Sequence, residues 1–233
     1  MRRWVICSLL FCLNSTSGLW AQAFQNLDFE AAQNIPVFDP HGHPWTMSPE
    51  DALPHWNCFY GTNQFGWAWY NDLALDSAAV GIMGSNSPLF VYVPAGLLDG
   101  QYCASLQAAT MSAGSYSASI GQIGQIPSNA KSITFGGSYA FSVSFAGNQI
   151  PMEISIPEGN YNVYTGDVSQ FAGQTGELLI TSYNHFSFID DIQFSPDAIP
   201  EPSTFALAAV ALTMLFGIWS THTVYQRPPP QLR

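Results

Sequence analysis

The sequence predicts an all-β protein, an antiparallel β-sandwich of the jelly-roll type carrying one C-terminal transmembrane helix. Three observations lead there. Large apolar and small polar residues alternate with period two in Gly100–Gln107, Lys131–Phe135, Tyr139–Phe145 and Phe186–Ile189, as they do in half-buried strands. Turn residues fall between such runs at short intervals: Gly136-Gly137, Gly147-Asn148 and Glu158-Gly159-Asn160. No apolar pattern of helical period and useful length precedes Phe205, and Val168–Ala172 offers one turn at most.

Taken from the N-terminus, residues 1–23 have the layout of a signal peptide. Arg2 and Arg3 supply a positive start, Trp4–Leu13 an apolar stretch, and Ala21-Gln22-Ala23 the small residues that a signal peptidase reads. Phe11 before Cys12 argues against lipoprotein processing, so the segment is read as an export signal. Residues 24–198 then form the expected sandwich, large enough for a single core.

Charge narrows what this domain can bind. Between residues 24 and 200 there are fifteen Asp and Glu and one cation, Lys131, a net charge of −14. Binding to nucleic acid or to an anionic membrane surface needs clustered Lys and Arg, so both are excluded. Acidity of this kind suits an extracellular protein or one that recruits divalent cations. Of the four cysteines, Cys7 and Cys12 leave with the signal. Cys58 and Cys103 remain, and in an oxidising compartment they can pair, closing a loop of about 46 residues worth about 4 kcal/mol in chain entropy. Two buried free thiols are the alternative.

Residues 199–233 read as a terminal address. Phe205–Trp219 is fifteen residues long without a charge, and Ser220–Tyr225 can extend it to about 20 residues, roughly 30 Å of helix and enough to cross a bilayer. Pro200 and Pro202 punctuate its start and Pro228–Pro230 its end; Arg227 and Arg233 are the cations of the tail. The segment Ile199-Pro200-Glu201-Pro202-Ser203-Thr204, the apolar helix at about 205–224 and the tail 225–233 together resemble the PEP-CTERM sorting signal of Gram-negative bacteria that make extracellular polysaccharide. The resemblance implies an exported protein, anchored in the inner membrane until an exosortase-type protease processes it near Pro200-Glu201-Pro202 and it reaches the cell surface or matrix. The chain departs from the pattern in one respect, because Ser220–Gln226 stands where the family usually has an arginine cluster.

A second resemblance concerns the sandwich. Asn26-Leu27-Asp28-Phe29-Glu30 and Phe188–Phe194 are similar to the first and last strands of galactose-binding-like jelly rolls, which include many carbohydrate-binding modules, and Thr165–Ile180 is similar to their entry into the penultimate strand. What this implies is a pair of adjoining terminal strands that share a structural calcium, with Glu30 and Asp190 as the matching acidic residues. If Asp190 and Asp191 are both in a strand they point to opposite faces.

The residues themselves offer one binding surface and one metal candidate. Trp56, Phe59, Tyr60, Phe65, Trp67, Trp69 and Tyr70 lie within fifteen residues, interleaved with Asn57, Asn63, Gln64 and Asn71. Aromatic planes stack on the apolar faces of sugar rings while amides bond their hydroxyls, so Trp56, Tyr60, Trp67, Trp69 and Tyr70 are the glycan-binding candidates; a tryptophan-rich core is the competing reading. Asp39, His41, His43 and His55 could chelate a transition metal, but they sit in a Pro- and Gly-rich stretch with no recognised spacing, where a solvated loop accounts for them. No Gly-x-Ser-x-Gly elbow, phosphate loop or Cys/His nucleophile set occurs, and adjacent carboxylates such as Glu50-Asp51 do not make a glycosidase pair. The expected function is therefore attachment without catalysis, to extracellular polysaccharide or other matrix components, against two alternatives: a polysaccharide hydrolase or lyase, or a structural subunit with no soluble ligand.

Overall fold

A computed structural model describes residues 22–36, 46–72, 77–87, 89–109, 116–155, 160–183 and 186–199. The apolar part of the export signal, Asp39, His41 and His43, the Pro200–Thr204 motif and the C-terminal apolar stretch lie outside them. Among the described residues no helix is long and apolar enough to cross a membrane.

The described residues contain fourteen strands, β1 (Thr46–Met47), β2 (Asn57–Tyr60), β3 (Asn63–Gln64), β4 (Ala68–Tyr70), β5 (Ala79–Gly84), β6 (Tyr102–Gln107), β7 (Ala118–Gln125), β8 (Ser132–Gly137), β9 (Phe141–Phe145), β10 (Asn148–Ile150), β11 (Met152–Ser155), β12 (Asn162–Asp167), β13 (Thr175–Ser182) and β14 (Ser187–Ser195). They form an eight-stranded sheet, β1-β4-β5-β6-β14-β8-β12-β11, and a six-stranded sheet, β10-β9-β13-β7-β2-β3. The protein is an all-β sandwich of these two sheets. One ladder departs from the expected antiparallel pairing: β4 runs parallel to β5, with Trp69 opposite Gly81. A Cβ on Gly81 would lie 2.6 Å from the Trp69 carbonyl oxygen, so glycine is what lets the two strands approach.

The period-two pattern becomes rows of side chains across each sheet. In the six-stranded sheet, register places Cys58 opposite Ile120, Ile120 opposite Ile180, Ile180 opposite Val143 and Val143 opposite Ile150. All five are fully buried between the sheets, each worth about 1.5–3 kcal/mol if it were a branched aliphatic. The facing sheet contributes Val80, Ile82, Ala104, Leu106, Ile133, Phe135, Tyr164 and Ile189, with the Phe135 and Tyr164 rings stacked at 4.9 Å.

The eight-stranded sheet is also covered on its outer face. Met83, Cys103 and Phe188, which alternate with the inward Ile82, Ala104 and Ile189, pack beneath Val93 and Leu97 in a second, smaller core. The segment that follows β5 supplies this cover. It includes a 3₁₀ turn at Phe90–Tyr92, and Tyr92 stacks on Phe186 at 6.3 Å.

The structure overturns the expected Cys58–Cys103 disulfide. Both thiols are free and buried, and the eight-stranded sheet separates them. Cys58 faces the main core, and Cys103 faces the outer one. Two turn expectations also shift. Gly136-Gly137 is inside β8, because a Cβ on Gly137 would come within 2.7 Å of the Phe141 ring, and the chain turns after it, with Tyr139 at a φ of 62°. The β9–β10 hairpin turns at Ala146-Gly147, whose φ values of 48° and 77° suit a two-residue loop between paired Phe145 and Asn148. The single turn expected near Val168 is the 3₁₀ turn Ser169–Phe171. A four-residue helix, α1 (Pro49–Ala52), is capped by Ser48, whose hydroxyl accepts from the Asp51 N–H at 3.1 Å. The sequence reading missed it.

Burial pushes the Cys58 thiol up to about 12 and the Cys103 thiol well above its ordinary value, so neither forms a reactive thiolate at neutral pH. The folded protein should therefore leave both unreacted with a thiol reagent, release two reactive thiols on denaturation without reductant, and show no mass change on reduction. A gain of two daltons on reduction would restore the disulfide.

Candidate functional site

The aromatic cluster divides into a core half and a surface half. Trp56 and Tyr70 are 3% and 0% exposed, which removes both from the expected binding set. Trp56 packs against Phe29 at 5.8 Å and donates its indole N–H to the Asn26 carbonyl at 2.9 Å. Tyr70, inward-facing in β4, belongs to the main core.

Tyr60, Phe65, Trp67 and Trp69, joined by Tyr116, form a continuous ladder, while Phe59 lies apart from it against Gly121. Tyr116 contacts Tyr60 at 4.6 Å, Tyr60 stacks on Phe65 at 5.6 Å and 12°, Phe65 meets Trp67 at 4.9 Å, and Trp67 meets Trp69 edge-on at 5.7 Å. Register explains the assembly. Tyr60 ends β2, β3 folds back on it, and the chain then crosses to β4 in the other sheet, so one aromatic run bridges both layers. Trp67 and Tyr116 are 39% and 40% exposed and give the ladder its open faces. Beside it, Gln64 Nε2 donates to Asn57 Oδ1 at 2.9 Å, and Asn63 is exposed. Desolvation and the neighbouring Tyr116 phenol raise Tyr60 above the usual tyrosine range. Thus Tyr60, Trp67 and Trp69 come together as the sequence suggested. Tyr116 was missed, since only strand pairing brings a residue of β7's approach to Tyr60.

A second arrangement unites Glu30 and Asp190. The opening segment is not a strand but a tight coil: Asn26 and Phe29 have φ values of 51° and 57°, and Asn26 Oδ1 accepts from the Ala31 N–H at 2.9 Å. The Ile192 N–H donates to the Leu27 carbonyl at 3.0 Å, tying this coil to β14. That hydrogen bond falls at a bulge in β14, where pairing with β8 shifts between Asp190 and Gln193 and Asp191 takes a φ of 55°. The bulge replaces the simple alternation expected for Asp190 and Asp191. Asp190 is fully buried, while Asp191 is half-buried.

Both carboxylates hold the loop that enters β6. Glu30 Oε1 accepts from the Gln101 and Tyr102 N–H groups, each at 2.8 Å. Gly100, at a φ of 101°, is required there: a Cβ would lie 2.6 Å from Glu30 Oε1. Asp190 Oδ2 accepts from the Asp99 N–H at 2.9 Å and Oδ1 from the Asp191 N–H at 2.8 Å. Burial raises Asp190 to about 7, with Glu30 and Asp191 adding to the rise and the two N–H groups opposing it. Among the described residues no group of three or more His, Cys, Asp or Glu converges on a metal position, and His55 stands exposed at the surface.

No family model matches the chain, and no curated protein matches it. Among solved structures, it is similar to the enzymatically active domain of tailspike protein 4 of bacteriophage CBA120, at 14% identity and a TM-score of 0.37 over 64% of this chain and 20% of that one. The chain thus spans about a fifth of the tailspike's length. It is also similar to TmCBM61, solved with β-1,4-galactotriose, at 15% identity and a TM-score of 0.33 over 76% of this chain and 99% of that one. Both scores lie below 0.5, so the functional reading rests on the chain's own residues.

The raised Asp190 gives a signed pH dependence. A carboxyl that binds its proton more tightly when folded stabilises the fold below its unfolded value, and this contribution fades as pH rises through about 7. Stability should fall between about pH 4 and 7, by at most about 1.4 kcal/mol per pH unit from this group, and the melting temperature should fall with it. Asp190→Asn should flatten the profile and lower it throughout, because an amide oxygen can satisfy only one of the two N–H groups.

Proposed function

We propose that the protein is an exported surface or matrix component whose sandwich binds glycans, or other matrix components, through the Tyr116–Tyr60–Phe65–Trp67–Trp69 ladder. The observation that carries this reading is the exposure of Trp67 and Tyr116 on a row of aromatic rings next to exposed amides. Planar rings stack on sugar C–H faces and amides take the hydroxyls. The ligand is neutral or cationic, because the domain's net charge of −14 repels uronate-rich and nucleic-acid polymers. Export through residues 1–23, retention by the helix at about 205–224 and release by an exosortase-type protease at Pro200-Glu201-Pro202 complete the proposal, with the sandwich belonging to the galactose-binding-like jelly rolls.

Catalysis is not part of it. Asp190 has the proton affinity of a general acid at neutral pH, yet it is sealed from solvent and both its oxygens accept backbone N–H groups. Its geometry is that of a loop anchor. We also propose a calcium ion at this corner, held by Glu30 and Asp190. Both supply hard oxygen ligands, and a buried carboxylate whose charged neighbours are carboxylates gains from any cation nearby.

Affinity electrophoresis of the full-length protein in gels containing neutral and amino-sugar polysaccharides should show retardation. Trp67→Ala should reduce it at least about tenfold while moving the melting temperature little, since Trp67 is outside the core. Undiminished retardation would reject the ladder, and release of reducing sugar from the same polymers would support the hydrolase reading instead. Calcium should raise the melting temperature over that in chelator, and the gain should vanish in Glu30→Gln; equal melting temperatures would remove the ion.

A further inference from the structure

The outer face of the eight-stranded sheet is only partly roofed. Beyond Leu97 the covering segment stops short of β12, and a cleft of about 320 Å³ opens between residues 96–99 and the outward residues of β8, β12 and β14. That volume is at the lower end of the range for small-molecule sites, about 300–1,000 Å³. Its position is fixed by three separate features. Tyr161 lies along one wall against two glycines: a Cβ on Gly136 would fall 3.3 Å, and one on Gly96 3.5 Å, from its ring. The bulge in β14 sets Asp191 in the left-handed region, where its carboxylate accepts from Gln193 Nε2 at 2.6 Å, and both residues line the cleft. Asp99 forms the rim, held there by its N–H bond to the buried Asp190.

We propose that this cleft is a second ligand site, separate from the aromatic ladder, for one saccharide unit that presents hydrogen-bond donors and no anionic group. The inference rests on the glycan-binding reading for its ligand class. Of the two aromatic residues in the lining, Phe135 is buried in the main core and Tyr161 is half-buried; with Tyr161 stand the acceptors Asp99 and Asp191, the Gln193 amide and the Thr134 hydroxyl, and there is no Lys, Arg or His. A sugar ring can pack against Tyr161 while its hydroxyl or amino groups donate to the carboxylates. A uronate in the same position would meet two like charges with no compensating cation.

Calorimetric titration of the full-length protein with short oligomers of glucose, glucosamine and glucuronate tests this. Glucose or glucosamine oligomers should bind saturably, and glucuronate oligomers should not. In a Trp67→Ala background, which disables the ladder, Val163→Phe, which fills the cleft from β12, should abolish the binding that remains. Asp191→Asn, which keeps a residue tolerant of the left-handed backbone, should weaken it about tenfold with the melting temperature preserved. Trp67→Ala should leave it intact, so that the cleft and the ladder succeed or fail separately. The proposal is overturned by glucuronate binding as well as the others, by no saturable binding of any oligomer, or by binding that Trp67→Ala removes or that Val163→Phe leaves unchanged in that background.

Discussion

The scarcity of cations is the constraint on which the rest of the structure depends. With Lys131 the single cation against fifteen carboxylates between residues 24 and 200, side-chain ion pairs cannot neutralise the acidic groups, so the backbone does. Glu30 takes two successive N–H groups, Asp190 takes two more, and Asp167 accepts from the Ser169 N–H at 2.8 Å. Hydrogen bonds to a charged acceptor are worth more than neutral ones, about 1.5–3 kcal/mol. Each carboxylate thereby fixes a stretch of irregular backbone: the coil before β1, the approach to β6, the turn after β12. The loops of this sandwich are organised by its acidic residues rather than merely decorated with them.

One of those fixed stretches makes the eight-stranded sheet an interior layer. Asp190 and Glu30 hold the end of the segment whose Val93 and Leu97 cover Met83, Cys103 and Phe188. This explains why β5 is buried at every position although it belongs to a sheet with one outward face. It also explains how a buried carboxylate is tolerated there. The carboxylate is the price of pinning a roof that has few apolar side chains of its own.

Legibility in the sequence followed the range of the interaction. β6, β8, β9 and β14 were readable because alternation is a local consequence of strand geometry, and Phe141, Val143 and Phe145 announce their inward face without reference to any other strand. The pairing of Glu30 with Asp190 was suggested by resemblance, and the structure places the two close enough for Glu30 to raise Asp190. What could not be read was which aromatic residues face inward. Tyr70 differs from Trp69 only in the face that β4 gives it, and a shift of one residue would reverse every face, while Trp56 is buried by Asn26 and Phe29, far away in the chain. The thiols failed for the same reason: Cys103 and Ala104 are neighbours in sequence, yet they belong to different cores. Gly136-Gly137 resembled a turn because glycine permits turns, whereas here it makes room for the rings of Tyr161 and Phe141.

Among the described residues, the four edges of the two sheets are formed by short strands. β1 and β3 have two residues each, β10 three and β11 four. A long flat edge is a template on which another chain can add a strand, and edges of two to four residues give an incoming strand little to pair with. Many copies of such a domain can be crowded side by side without polymerising through their backbones. Contact between copies is then left to side chains rather than to backbone pairing.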